Sequence, residues 1–246
     1  MKKLIFYALF IYCFPLYSQE NKKRNDQDTI YLNVNKNEII DKEFAVYYRI
    51  VDTESEKTVR KTYFLSGQIA EETSYSNYKR KIRDGKHLEY NDDGEILVSI
   101  DYKAGVIDGQ LLTFWENQIP KRIDYYKKGE FTKGTCFDVN GKKIKHFDFL
   151  ICPSYKYGKK SLLKFLKNEI KYPESLIYKA EGRVVVSFIV EIDGSVSNLK
   201  LESSSFFDAF DEEVFRVIRI MKNFIPGKID GVDKRMRMTM PVNFLF

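Results

Sequence analysis

The sequence predicts an all-β hairpin-repeat domain over residues 30–150, followed by an α+β domain over residues 151–246 with two helices on a small antiparallel sheet. Three observations carry this. A pattern of turn residues between aromatics recurs through the middle of the chain. Beyond residue 151, two stretches with helical spacing lie among strands of strict alternation. Tyr and Phe number 17 and 19 against a single Trp, and both favour half-buried pleated surfaces.

The chain begins with Met1-Lys2-Lys3, then a mostly apolar run from Leu4 to Leu16 broken by Pro15, then Leu16-Tyr17-Ser18 and a polar stretch. That layout predicts a secretory signal peptide over 1–18, cleaved after Ser18, and a flexible polar segment over 19–29. The run is shorter than the ~20 residues of a comfortable membrane span. Inner-membrane anchoring would follow only if the signal stayed uncleaved. Tyr12 is too bulky for the residue before a lipidated Cys13. In the oxidising compartment beyond export, Cys136 and Cys152 are allowed to bond, although two thiols are the first expectation because sequence does not fix their separation.

The formal net charge of +6 is mild, and no basic run is long enough to track a phosphate backbone, so nucleic acid is not an expected partner. Two histidines, His87 and His146, with three cysteines leave little stock for a zinc site or a histidine triad. No Gly-rich phosphate loop is present. Asp92-Asp93 and Glu212-Glu213 are accounted for by a turn and a helix start. The expectation is a protein that is not an enzyme, with no cofactor, no metal and no small-molecule substrate.

From Thr29, Ile30, Leu32 and Val34 alternate with polar or aromatic neighbours. Over Glu43 to Val51, Phe44, Val46, Tyr48 and Ile50 would share one face. A repeat then runs through Tyr63 to Ile69, Tyr90 to Ile96, Phe114 to Ile119 and Phe137 to Ile144, with Gly67, Gly94, Asn117 and Gly141 as turn residues. Gly85, Gly109 and Gly134 recur between the copies. Each hairpin cannot bury its own apolar face but a stack can, and four hairpins would make a ribbon on the order of 40 Å long. These motifs resemble MORN-type repeats over about residues 63–145. The resemblance implies a hairpin array that binds or spaces without chemistry of its own. Tyr75, Tyr102 and Tyr125 are expected in its core.

The last region opens on Lys159 to Glu169, where Leu162, Leu163, Phe165 and Leu166 repeat at helical spacing. A strand follows over Arg183 to Glu191, with Val184, Val186, Phe188 and Val190 on one face. Asp193-Gly194 turns the chain, and the return strand Ser195 to Ser203 changes parity, which predicts a bulge near Asn198. Asp208 is placed to cap a second helix whose stripe is Phe210, Val214, Val217, Ile218 and Met221. The final strand, Arg235 to Phe244, buries Met236, Met238, Met240, Val242 and Phe244.

Tyr172-Pro173, Glu181-Gly182-Arg183 through Phe188, Asp193-Gly194, Phe210-Asp211-Glu212-Glu213-Val214, Ile225-Pro226-Gly227-Lys228 and Pro241-Val242-Asn243-Phe244 together resemble the TonB C-terminal domain, over roughly 158–246. The resemblance implies a periplasmic protein that docks TonB-dependent outer-membrane transporters, whose TonB box adds as a strand beside the last one. It also implies the inner-membrane motor proteins ExbB and ExbD as partners if energy is relayed. Pro241 cannot donate to a ladder and independently favours an edge. The candidate partner-binding residues are Arg235, Met236, Arg237, Met238 and Thr239 on that edge, with Lys171, Tyr172 and Pro173 near the end of the bound peptide. One feature departs from the family. Pro15 and Pro120 are the only prolines before position 153, so no long Pro-rich span crosses the periplasm. A periplasmic adaptor or scaffold that transmits no force is the alternative.

Overall fold

The computed structural model describes residues 12–15, 29–52, 57–176 and 180–245. The predicted signal peptide and its cleavage point lie outside the described residues except for 12–15. Those four residues form strand β1 (Tyr12–Pro15). The described chain falls into two compact units, one within 29–147 and one made of 148–245 with β1.

The first unit is a single antiparallel sheet of ten strands in sequence order: β2 (Ile30–Leu32), β3 (Tyr47–Asp52), β4 (Thr58–Phe64), β5 (Ile69–Asn77), β6 (Ile82–Tyr90), β7 (Ile96–Lys103), β8 (Val106–Phe114), β9 (Pro120–Lys127), β10 (Glu130–Phe137) and β11 (Lys143–Ile144). Four turns repeat along one side. In each, a residue of positive φ donates its amide three residues back: Gly67 to Phe64 at 2.9 Å, Gly94 to Asn91 at 3.1 Å, Gln118 to Trp115 at 2.9 Å and Gly141 to Asp138 at 2.9 Å. The third turn corrects the expected alignment. Gln118, not Asn117, takes the glycine position, with φ 60°, because the turn is fixed by its closing bonds and not by the residue type that enters the left-handed region most cheaply.

Gly85, Gly109 and Gly134 lie within β6, β8 and β10. A Cβ on Gly109 would sit 2.7 Å from the Asp101 Cβ, and one on Gly134 would sit 1.9 Å from Asp124 Oδ1. The 24- and 25-residue spacing therefore reports a close approach of the neighbouring strand.

The expected face of the third strand is also corrected. Residues 42–44 form a short 3₁₀ turn, Phe44 is 72% exposed, and the buried positions of β3 are Arg49 and Val51. Strand register carries these positions across the sheet in two rows. Val51, Arg60, Thr73, His87, Ile100, Leu111, Asp124 and Gly134 are successive partners, as are Arg49, Thr62, Glu71, Glu89, Val98, Thr113, Arg122 and Cys136. Charge is tolerated there because it is paired. Arg60 binds Glu71, Lys36 reaches the same carboxylate at 2.7 Å, and Arg122 meets Asp124 at 2.6 Å. Of the three expected core tyrosines, Tyr75 is buried, while Tyr102 and Tyr125 are half-buried.

The second unit contains β12 (Leu150–Ile151), β13 (Ser154–Tyr155), α1 (Gly158–Glu169), β14 (Gly182–Val190), β15 (Val196–Ser203), α2 (Asp208–Ile220), β16 (Phe224–Ile225), β17 (Gly227–Ile229), β18 (Val232–Lys234) and β19 (Met236–Phe244). Its main sheet has the order β1-β19-β14-β15, and β12-β17-β18 and β13-β16 form small satellites. Leu162 and Leu166 of α1 and the full predicted stripe of α2 close on Val184, Val186, Phe188, Met238, Met240, Val242 and Phe244 in one core. The Asp193-Gly194 turn forms, and register slips beside Asn198, whose φ is 46°. Asp208 makes no capping bond; it is the first helical residue. The helix start is tied instead by Asp211, which accepts from Ser204 Oγ at 2.6 Å and from the Ser205 amide at 3.2 Å.

Candidate functional site

β19 places four of the five candidate edge residues, Met236 to Thr239, in one line. It pairs with β14 from Gly182↔Phe244 to Val190↔Met236, and its side chains alternate strictly between buried and half-buried. Met236 and Met238 point into the core. Arg237 and Thr239 lie on the opposite face, and Arg235 just precedes the strand. The two arginines are drawn across the sheet. Arg235 donates to Glu191 at 2.7 Å, and Arg237 donates to Ser187 Oγ at 2.8 Å, which in turn donates to Glu202 at 2.5 Å. Their charges lean toward β14 and β15, so they do not screen the backbone of the outer edge.

Pro241 decides which amides face that edge. A residue in an antiparallel strand sends its N–H and C=O to the same side, and successive residues alternate. Proline fits a paired strand only where its missing N–H faces away from the neighbour. Pro241 sits opposite Val185 of β14, so the parity of Arg237, Thr239 and Pro241 faces outward. The outer edge is occupied in part: β1 lies antiparallel on it, with Tyr12↔Thr239, Cys13↔Met238, Phe14↔Arg237 and Pro15↔Met236. The sequence predicts this segment only as part of a leader. The visible signal was a short run of β-favouring aromatics ending in proline, but nothing local names its pairing partner.

Lys171, Tyr172 and Pro173 lie at the other end of the strand. Tyr172 packs edge-on against Phe210 at 5.5 Å, and Phe210 stacks on Phe244. The Tyr172 hydroxyl donates to the Ala180 carbonyl at 3.1 Å and accepts from its amide at 2.8 Å. The Lys171 amide donates to Glu213 at 2.7 Å. Burial pushes the Glu213 carboxyl up, but the bonds from Arg216 and the Lys171 amide outweigh it, and its pKa falls below the usual range. Arg216 also reaches the Glu169 carbonyl at 2.6 Å, fixing the end of α1 to α2. An open groove runs here between Lys171, Tyr172, Pro173, Ala209, Glu212 and Arg216. The Glu213–Arg216 anchor went unread in the sequence, although its acid–base spacing of three residues on a helix was available.

The arrangement offers backbone hydrogen bonding along one edge and a groove at one end. Among the described residues no cluster of three or more His, Cys, Asp or Glu is placed to hold a metal, and no helix is long and apolar enough to cross a membrane. Cys136 is a buried thiol on β10 and Cys152 an exposed one.

No curated protein and no solved structure matches the chain. A family model does match, over a region that takes in the end of α1, β14, β15, α2 and β19 but not the ten-stranded sheet. Residues 168–246 are similar to the family described as Gram-negative bacterial TonB protein C-terminal, a non-catalytic class of protein-interaction domain.

Proposed function

We propose that the protein is a periplasmic, TonB-like binding protein that docks TonB-dependent outer-membrane transporters by accepting their TonB box as a strand beside β19. One observation carries the reading: the outer edge of β19 takes an antiparallel strand in register at Met236–Thr239, the stretch the family resemblance assigns to the partner. Strand addition of this kind draws affinity from main-chain bonds. With the orientation of β1, the peptide's C-terminal end lies at Met236 and its N-terminal end runs toward Phe244 and the Lys171–Pro173 groove. The ten-stranded sheet, read as a MORN-type array, serves as a spacer or a second binding surface. Relay of energy from ExbB and ExbD belongs to this reading only if the chain stays anchored. The absence of a Pro-rich span before position 153 favours the second reading, an envelope adaptor that binds without transmitting force.

The test is calorimetric binding of a TonB-box peptide to the chain lacking residues 1–18, compared with its Thr239→Pro variant. The parent is expected to bind. The variant loses one outward amide on the same parity as Pro241, so it should fold, as checked by circular dichroism, and bind several-fold more weakly. A folded variant that binds as well as the parent would remove the edge from consideration.

A further inference from the structure

The strand found on the β19 edge belongs to the same chain, and no short turn forces it there. Residues 12–15 and 236–239 stand near opposite ends of the sequence, yet they pair over four consecutive positions. The ladder is of the same kind that an added peptide would make. Each outward N–H and C=O of β19 serves one neighbouring strand, so a chain segment and a partner cannot hold Met236–Thr239 together. Pro15 stands opposite Met236, whose own N–H and C=O face β14, so the missing Pro15 amide points away from β19 and leaves the ladder intact. A ladder of four residues is weak by itself, which makes the contact displaceable.

We infer that Tyr12–Pro15 is an intramolecular cap on the docking edge of β19, closing it in the unprocessed chain and opening it when the leader is removed or displaced. The inference rests on the reading that this edge receives a partner strand. It adds what regulates the edge: the segment removed in processing is the one that holds the site. A second benefit follows before export, since an uncovered strand edge is a template for unwanted pairing, and the cap covers part of it.

Two measurements on the full chain, kept unprocessed, and on the chain lacking residues 1–18 decide the matter. The first is a disulfide trap: Tyr12→Cys with Thr239→Cys in the full chain, with Cys13→Ser and Cys152→Ser to remove competing thiols. Directly opposed residues of an antiparallel pair have Cα atoms ~4.5–5.5 Å apart, inside the range a disulfide spans. Mild oxidation should link the two peptides in a mass-spectrometric map, and a control with Asn243→Cys in place of Thr239→Cys should not link. The second is calorimetry with a synthetic peptide copying Leu9–Leu16. The shortened chain should bind it saturably, and the full chain about tenfold more weakly, as expected of a site open about a tenth of the time. The same ratio is expected for a TonB-box peptide.

If no 12–239 link forms and both chains bind the TonB-box peptide equally, the cap is wrong and the docking edge stands. If the link forms and the Leu9–Leu16 copy binds the shortened chain, but the TonB-box peptide binds neither chain, the cap on the edge stands and the transporter reading falls. If the link fails and the copy binds neither chain, the cap is overturned whatever the TonB-box peptide does.

Discussion

Phe210 of α2 stacks on Phe244 of β19, with ring centroids 4.1 Å apart and planes 12° from parallel. That contact fastens the second helix to the final strand, and Tyr172 leans on it from the side. Phe210→Ala should cost ~3–5 kcal/mol, the range for emptying a buried aromatic site. Chemical denaturation followed by near-ultraviolet circular dichroism would show it. The variant should also loosen the Lys171–Pro173 groove, seen as faster amide exchange at Ala180, whose N–H is held by Tyr172.

Glu71 gives the sheet a defined acid sensitivity. Burial raises its pKa, but Arg60 and Lys36 overcome that and hold the carboxyl far below its ordinary 4.5. A carboxylate depressed in the folded state contributes stability above its unfolded pKa and loses it as pH falls. Stability of the sheet should therefore decline as pH drops below about 4.5. Trp115, the single tryptophan, lies in this unit, so its fluorescence reports the loss. Glu71→Gln should flatten this part of the profile, and at neutral pH it should cost ~3–5 kcal/mol, because Arg60 is left buried without its partner.

Gly134 and Gly94 should fail for different reasons. At Gly134 the backbone is not left-handed, and Ala is excluded by crowding, from the Asp124 carboxylate first and from Phe131 Cε2 at 3.0 Å. Gly134→Ala should destabilise by ~1–3 kcal/mol through overpacking and disturb the Arg122–Asp124 pair. Gly94 has φ +83° and Gln68 Nε2 within 2.7 Å of a Cβ, so Gly94→Val meets both strain and crowding. Both should lower the thermal midpoint seen by Trp115 fluorescence.

Arg237→Ala should leave peptide affinity within about twofold, since backbone pairing is indifferent to side chains and the guanidinium is bonded to Ser187 on the sheet face. Calorimetry on the chain lacking residues 1–18 measures this. A large loss would mean that the partner is read by charge.

Intact-mass measurement of the protein recovered from its native envelope should show loss of residues 1–18, as the short apolar leader predicts. A full-length chain extracted only by detergent would count against cleavage and favour anchoring.

Local rules carried most of the architecture. The repeated turns were legible because a left-handed position restricts residue type, and β14, α2 and β19 because their buried faces are apolar at the period of their element. The inner faces of β3 to β5 were not, since Arg49, Arg60 and Glu71 occupy buried positions, the last two by pairing across strands, which an apolar pattern does not record. Asp208 is the expected cap because a cap is judged by position, while the bonds that tie the helix start run from Ser204 and Ser205 in the preceding loop to Asp211. For the candidate site, Pro241 and the alternation around it point to an outer edge on β19, and the assignment of Arg235–Thr239 to a partner rests on the family resemblance. Pairing with Tyr12–Pro15 was not, because strand partners far apart in sequence leave no local mark.

The strand order of the ten-stranded sheet has a mechanical consequence. Each strand pairs only with its sequence neighbours, and the first and last lie at opposite edges. Tension applied between those edges runs along the hydrogen bonds and breaks one strand pair at a time, where a shear geometry would load many bonds together. Such a sheet yields by peeling at low force. At ~3.4 Å per extended residue, a body roughly 40 Å across would pay out to several hundred ångströms of chain. Placed in series with a pulling partner, it would act as a compliant tether and would shield whatever lies beyond it from abrupt load.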